Sequence, residues 1–161
     1  MFHGAEAYLQ MWERADGVPA TACAPAAGGL GASGRGPLRL GAGYESILYA
    51  AGQPSSRPGA AYRYCVAGHP GGRLTVVFDG RRKAVAIGGN WPGLGAGPVA
   101  VGARARALQR AAGSLGHGLW LGRPLRGGAR YLYGVHAGRV AFAAVVSRAQ
   151  RASGSLAAAF R

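Results

Sequence analysis

A stretch that begins at Leu38 returns in outline 61 positions later, and a chain that repeats a pattern at this spacing is expected to build two similar supersecondary units. Leu38-Arg39-Leu40-Gly41 is followed by Tyr44, Ile47, Leu48, Ala50, Ala51 and Gly52. Its counterpart is Val99-Ala100-Val101-Gly102, followed by Ala105, Leu108, Gln109, Ala111, Ala112 and Gly113. Each copy reads as apolar–x–apolar–Gly and then a helix, Gly41–Gly52 and Gly102–Gly113. The closing glycines suit a left-handed helix C-terminus, where a side chain would clash. Strand-like segments follow in both halves. They are 62–66, 74–78 and 84–87 in the first, and 118–121, 131–135 and 140–146 in the second. Each half ends in a hairpin, with Asp79-Gly80 and Ala137-Gly138 predicted to supply positive-φ turn residues.

The expected fold class is therefore α+β, as two tandem helix-on-antiparallel-sheet units at about 38–88 and 99–147, in one domain over 38–147. Residues 1–37 read as an N-terminal helix and a Gly/Ala-rich linker. Tyr8, Leu9 and Trp12 take helical spacing within Glu6 to Ala15, and Thr21 to Pro37 has few large apolar side chains. Residues 148–161 read as a C-terminal tail. A hydrophobic fraction of 49% supplies a core and argues against a disordered chain. The longest strong apolar run, Val140 to Val146, is far shorter than the roughly 20 residues of a bilayer helix.

The pattern Leu38-x-Leu40-Gly41-x5-Ile47-Leu48-x2-Ala51-Gly52-x-Pro54, followed by antiparallel strands, resembles the repeating unit of the beta-lactamase-inhibitor-protein-like fold. It is similar also to the unit of small outer-membrane assembly lipoproteins and to C-terminal modules of secreted proteins from high-GC bacteria. The resemblance covers roughly Leu38 to Ser147 and implies a helical layer on an antiparallel sheet, in a binding or assembly protein. The chain departs from the lipoproteins in lacking an N-terminal lipid-attachment cysteine, and from the inhibitors in lacking their acidic character.

The formal charge is +14, from 18 Arg and the single Lys83 against Glu6, Glu13, Asp16, Glu45 and Asp79. A chain this basic attracts polyanions, although Arg, Ala, Gly and Pro are also what GC-rich codons write. Glu6, Glu13, Arg14 and Asp16 interrupt any signal-peptide core near Met1, so an extracellular or cell-envelope location requires a leader upstream.

The residues that could do chemistry are few. A hydrolytic triad needs an acid to orient its histidine, and beyond Leu38 the acids are Glu45 and Asp79. His69, His117 and His136 lie in loop-like contexts without metal-ligand spacing, so no metal site is expected. Gly29-Leu30-Gly31-Ala32-Ser33-Gly34 spells a dinucleotide fingerprint but has no strand before it and no helix after it, so no cofactor is expected. Cys23 and Cys65 are either two thiols or one disulfide pinning the linker to the first sheet, and an even count in a chain read as secreted favours the bond.

The strand aromatics Tyr62, Tyr64, Trp120, Tyr131 and Tyr133 supply the leading functional reading. Tyr62 and Tyr64 share one sheet face, as do Tyr131 and Tyr133. The tyrosines pack under the helices or form an open patch. Because Leu132 is wholly apolar, the expectation puts Leu132 in the core and the tyrosines on the open face, rimmed by Arg81 and Arg82. The expected function is a non-catalytic secreted or envelope accessory module that binds a protein or cell-surface polymer through this face. The alternative is a nucleic-acid or polyanion binder acting through Arg81, Arg82, Lys83, Arg104, Arg106 and Arg110, and the third is an accessory domain of a larger secreted hydrolase.

Overall fold

Runs rich in Val, Ile, Ala and Tyr between Gly-containing turns make strands the dominant element of the computed structural model, which describes residues 22–161. The helix expected at Glu6 to Ala15 lies outside the described residues. A two-residue hairpin, β1 (Gly34–Arg35) with β2 (Leu38–Arg39), leads to helix α1 (Tyr44–Ala51). Three strands follow: β3 (Ala61–Val66), β4 (His69–Phe78) and β5 (Ala84–Gly89). A second small hairpin, β6 (Gly95–Ala96) with β7 (Val99–Ala100), precedes a 3-10 segment at Ala105–Arg110. The chain then forms β8 (Ala112–Gly116), β9 (Leu119–Gly122), β10 (Arg130–His136) and β11 (Arg139–Val146), and it ends with helix α2 (Gly154–Ala158).

The expectation of two helix-on-sheet units is wrong. Seven strands form one antiparallel sheet in the order β3-β4-β5-β11-β10-β9-β8. The strand that closes each half lies at the centre, where β5 pairs with β11 through Ala86↔Val146, Ile87↔Val145, Gly88↔Ala144 and Gly89↔Ala143. Separating the halves would break this ladder and expose strands that are apolar on both faces.

The helical content is also smaller than expected. In α1, Glu45 sits in the first turn, Ile47 and Leu48 are buried, and Gly52 (φ 82°) closes the helix by donating its N–H to the Leu48 carbonyl at 2.7 Å. The counterpart segment has one buried anchor, Leu108, and makes only a 3-10 turn. Ala112 and Gly113 are drawn into β8, opposite Gly122 and Leu121 of β9. A single apolar anchor does not hold a full helix against an available sheet edge.

Both sheet faces are covered. On one, α1, the two small hairpins and their loops bring Leu30, Leu38, Ile47, Trp91, Leu94 and Leu108 onto the strands. On the other, Leu156, Ala157 and Phe160 pack over Leu132, Phe142, Ala144 and Val146. The stretch read as a tail is thus a docked element. Ser153 caps α2, its hydroxyl accepting the Leu156 N–H, and Leu156 and Phe160, four residues apart, share its apolar side. The stretch read as a linker is likewise seated on the fold. Ala24 N–H donates to the Cys65 carbonyl, Leu30 N–H donates to the Gly95 carbonyl, and Leu30 and Arg35 are buried. One large apolar residue, Leu30, suffices because small neighbours let the backbone approach the sheet layer closely.

The turns differ from expectation in one case. Ala137 (φ 49°) and Gly138 (φ 75°) take the left-handed region as expected, but in the β4–β5 turn Arg82 (φ 61°) does so. There the Asp79 carboxylate accepts the N–H groups of Arg81 and Lys83, which fixes the turn around the aspartate.

Gly134 lies at a bulge in the β10–β11 register, and a β-carbon there would collide with the Phe142 ring. Because Phe142 is held between the sheet and Phe160, the ring has little room to retreat. Gly134→Ala is expected to destabilise the fold by about 1–3 kcal/mol. A denaturant melt unchanged from wild type would show that Phe142 can move.

Candidate binding site

The four strand tyrosines do not form an open face. Tyr64 and Tyr133 are each 1% exposed, and Tyr62 and Tyr131 are each 8% exposed. Leu132 is buried as well, on the opposite face under α2. The expectation that one face of this strand is open fails because both faces of the sheet carry a layer. Three of the phenol groups serve as pins into that layer. Tyr64 donates to the Gly52 carbonyl at 3.0 Å, Tyr131 to Leu30 at 3.1 Å and Tyr133 to Ala96 at 2.6 Å. Burial raises the pKa of all four, that of Tyr133 to about 12. Trp120, on β9, is half-buried against the same core. Tyr62 packs edge-on against Phe78, whereas Tyr64, Tyr131 and Tyr133 could each reach a carbonyl because the loops over the sheet are rich in Gly and Ala. That feature was visible in the sequence but was read there as linker composition.

Arg81 and Arg82 are exposed at the β4–β5 turn with Lys83, and the Arg82 guanidinium stands 5.3 Å from the Tyr44 ring centroid. Arg104, Arg106 and Arg110 are exposed along the 3-10 segment. Within residues 22–161, 18 basic side chains accompany two carboxylates, Glu45 and Asp79. Asp79 is engaged by its own turn, and Glu45 sits at the start of α1 beside the Tyr44 hydroxyl. Over the described residues, and leaving aside buried Arg35, the surface therefore carries far more guanidinium groups than carboxylates.

Cys23 and Cys65 form a disulfide with their Cα atoms 4.6 Å apart, as expected of the pair. It fastens the start of the described chain to edge strand β3. Gly29 to Gly34 forms a tight loop in which Gly31 and Gly34 exchange backbone hydrogen bonds, and it leads into β1 rather than into a helix. Among the described residues, no three His, Cys, Asp or Glu side chains gather as a metal site, and no helix is long and apolar enough to cross a membrane.

One concave site was not foreseen. A cavity of about 360 Å³ opens between the Ala22–Gly29 segment, the β1–β2 hairpin and α1. Its walls are almost entirely apolar, including Ala24, Ala51, Leu38 and Leu74. Its charged lining residue is Arg35, which is 7% exposed. Arg35 Nη2 donates to the Pro25 and Ala27 carbonyls at 2.6 and 2.8 Å, and the guanidinium lies 5.1 Å from the Trp91 ring centroid. Its Nε–H is buried without an acceptor. Desolvation pushes the pKa of this guanidinium down. In the sequence, Arg35 is one of 18 arginines in a Gly-rich stretch, and no local pattern separates it from the solvated ones.

No family model matches the chain, and no curated protein matches it. Among solved structures, an extracellular protein containing a SCP domain from Bacillus anthracis str. Ames is similar with 10% identity and a TM-score of 0.48. The match covers 67% of this chain and 44% of that one, so the chain spans less than half the length of that protein. A likeness this distant carries no weight for fold or activity, and the features to reason from are the disulfide, the arginine surface and the Arg35 cavity.

Proposed function

We propose that the chain is a non-catalytic module of a secreted or envelope protein that binds an acidic cell-surface polymer through its arginine surface. The observation that carries this reading is the imbalance of charge: 18 basic side chains and two carboxylates over residues 22–161, with Arg81, Arg82 and Lys83 presented together on one turn. Such a surface draws in a polyanion and releases its counterions. The disulfide supports an oxidising compartment, where such bonds persist. The burial of the tyrosines takes the aromatic face out of the reading and leaves guanidinium groups as the exposed recognition chemistry. A non-catalytic role is supported by the two carboxylates, one committed to a turn and the other to a helix start.

The test is a salt series with purified teichoic acid and, as a comparator, single-stranded DNA of similar charge. Affinity for teichoic acid is expected to fall with a log–log slope of about −2 or steeper, each contact adding roughly −0.7 to −0.9 on the nucleic-acid scale. Arg81→Glu with Arg82→Glu is expected to weaken binding about tenfold or more. Absence of binding at low salt, or an affinity indifferent to salt, would overturn the reading. Tighter binding to DNA than to teichoic acid would move it to nucleic acid.

A further inference from the structure

We propose that the cavity beside Arg35 is a binding site for a small apolar molecule bearing one carboxylate. A buried guanidinium is costly unless it is paired and its N–H groups are satisfied. Arg35 has two backbone carbonyls and a Trp91 face as neighbours, but no carboxylate among the described residues, and its Nε–H has no acceptor. These contacts hold the side chain in place without neutralising it. The remaining walls are Ala, Gly, Pro and Leu, with Tyr64 already donating to Gly52 and Cys23 already in its disulfide. An occupant therefore meets one positive group and an apolar enclosure. A carboxylate satisfies the first by its charge and by accepting from the guanidinium N–H groups that the Pro25 and Ala27 carbonyls leave free. An alkyl or aryl body satisfies the second.

Size limits the body. At about the 30 Å³ that a water molecule takes in the liquid, 360 Å³ holds on the order of ten heavy atoms. Octanoate and benzoate are of that scale. Entry is available along the exposed rim of Ala22, Gly28, Gly36 and Ala50. The cavity is lined by the end of α1 and shares no lining residue with the Arg81–Lys83 turn, which pairs with the start of that helix, so this inference does not depend on polymer binding.

Octanoate and benzoate, with octanamide and benzamide as neutral isosteres, test the site on the whole chain by calorimetry and by amide NMR shifts at Ala24, Gly28, Gly36 and Ala51. Each acid is expected to bind at least about tenfold more tightly than its amide, a factor worth roughly 1.4 kcal/mol. Arg35→Met is expected to abolish the preference. Because that variant also loses the clasp on Pro25 and Ala27, Ala51→Leu provides a second probe: it fills the cavity from α1, keeps Arg35, and is expected to remove binding of both acids while leaving the melt near wild type. Equal binding of acid and amide, no shift at millimolar acid, or undiminished acid binding by Ala51→Leu would each overturn the site and leave Arg35 as a loop clasp.

Discussion

Tyr133→Ala is expected to be among the most damaging single substitutions in the sheet, costing about 3–5 kcal/mol for the lost ring, with a further cost for the deserted Ala96 carbonyl. The residue is 1% exposed, is flanked by Trp120 on β9 and Ala143 on β11, and packs beside Tyr131 with ring centroids 6.2 Å apart. Leu132→Ala is expected to cost about 2–5 kcal/mol, from the opposite face. Tyr133→Phe keeps the ring and removes only the bond to the β6–β7 hairpin, so it separates the two contributions at about 1–3 kcal/mol. The phenol also predicts a pH dependence. Its pKa is raised by burial to about 12, above the roughly 10 of an unfolded tyrosine, so the folded state holds the proton more tightly. That contribution is complete below about pH 10 and is lost as pH rises through 10 toward 12. Tyr133→Phe should flatten this part of the stability curve. Urea melts in which Tyr133→Ala matched wild type would remove the loop layer from this face.

Reducing the Cys23–Cys65 bond is expected to cost about 4 kcal/mol in the loop-entropy model, since it spans 42 residues. A loss of that size is a large fraction of the stability of a domain of ordinary size. The closed loop contains β1, β2, α1 and most of β3, so it holds the first hairpin and the helix of the layer on one sheet face. Thiol titration of the unfolded, unreduced protein should find no free thiol, and Cys23→Ser with Cys65→Ser should lower the denaturant midpoint without changing the sheet's circular dichroism at low denaturant. Two titratable thiols, or an unchanged midpoint after reduction, would show that the bond does not form or does not matter.

Much of the local structure was legible. The apolar runs at 62–66, 74–78, 84–87 and 140–146 all lie on strands, because alternating or continuous β-branched and aromatic residues fit a pleated surface. Gly52 ends α1 as its position required. The two cysteines were legible as a pair. Arg35 was not, because burial is a property of its neighbours, Trp91 and the Pro25 and Ala27 carbonyls, and none of these adjoins it in sequence. The docking of residues 153–160 could have been read from Ser153 and from the spacing of Leu156 and Phe160, but three consecutive alanines obscured that pattern.

By itself, the sequence determined where strands and tight turns form, since period-two side-chain placement and turn chemistry act over a few residues. It also determined the net charge of +14, on which the proposed binding of an anionic polymer rests. Only the tertiary structure decided which strands are neighbours, and the central pairing of β5 with β11 turned two expected sheets into one. The same arrangement covered both faces, buried Tyr131 and Leu132 on opposite sides of one strand, and enclosed Arg35 with no carboxylate partner among the described residues. These outcomes depend on contacts between residues far apart in the chain, where small side chains on Gly- and Ala-rich segments allow close approach but do not specify what will approach.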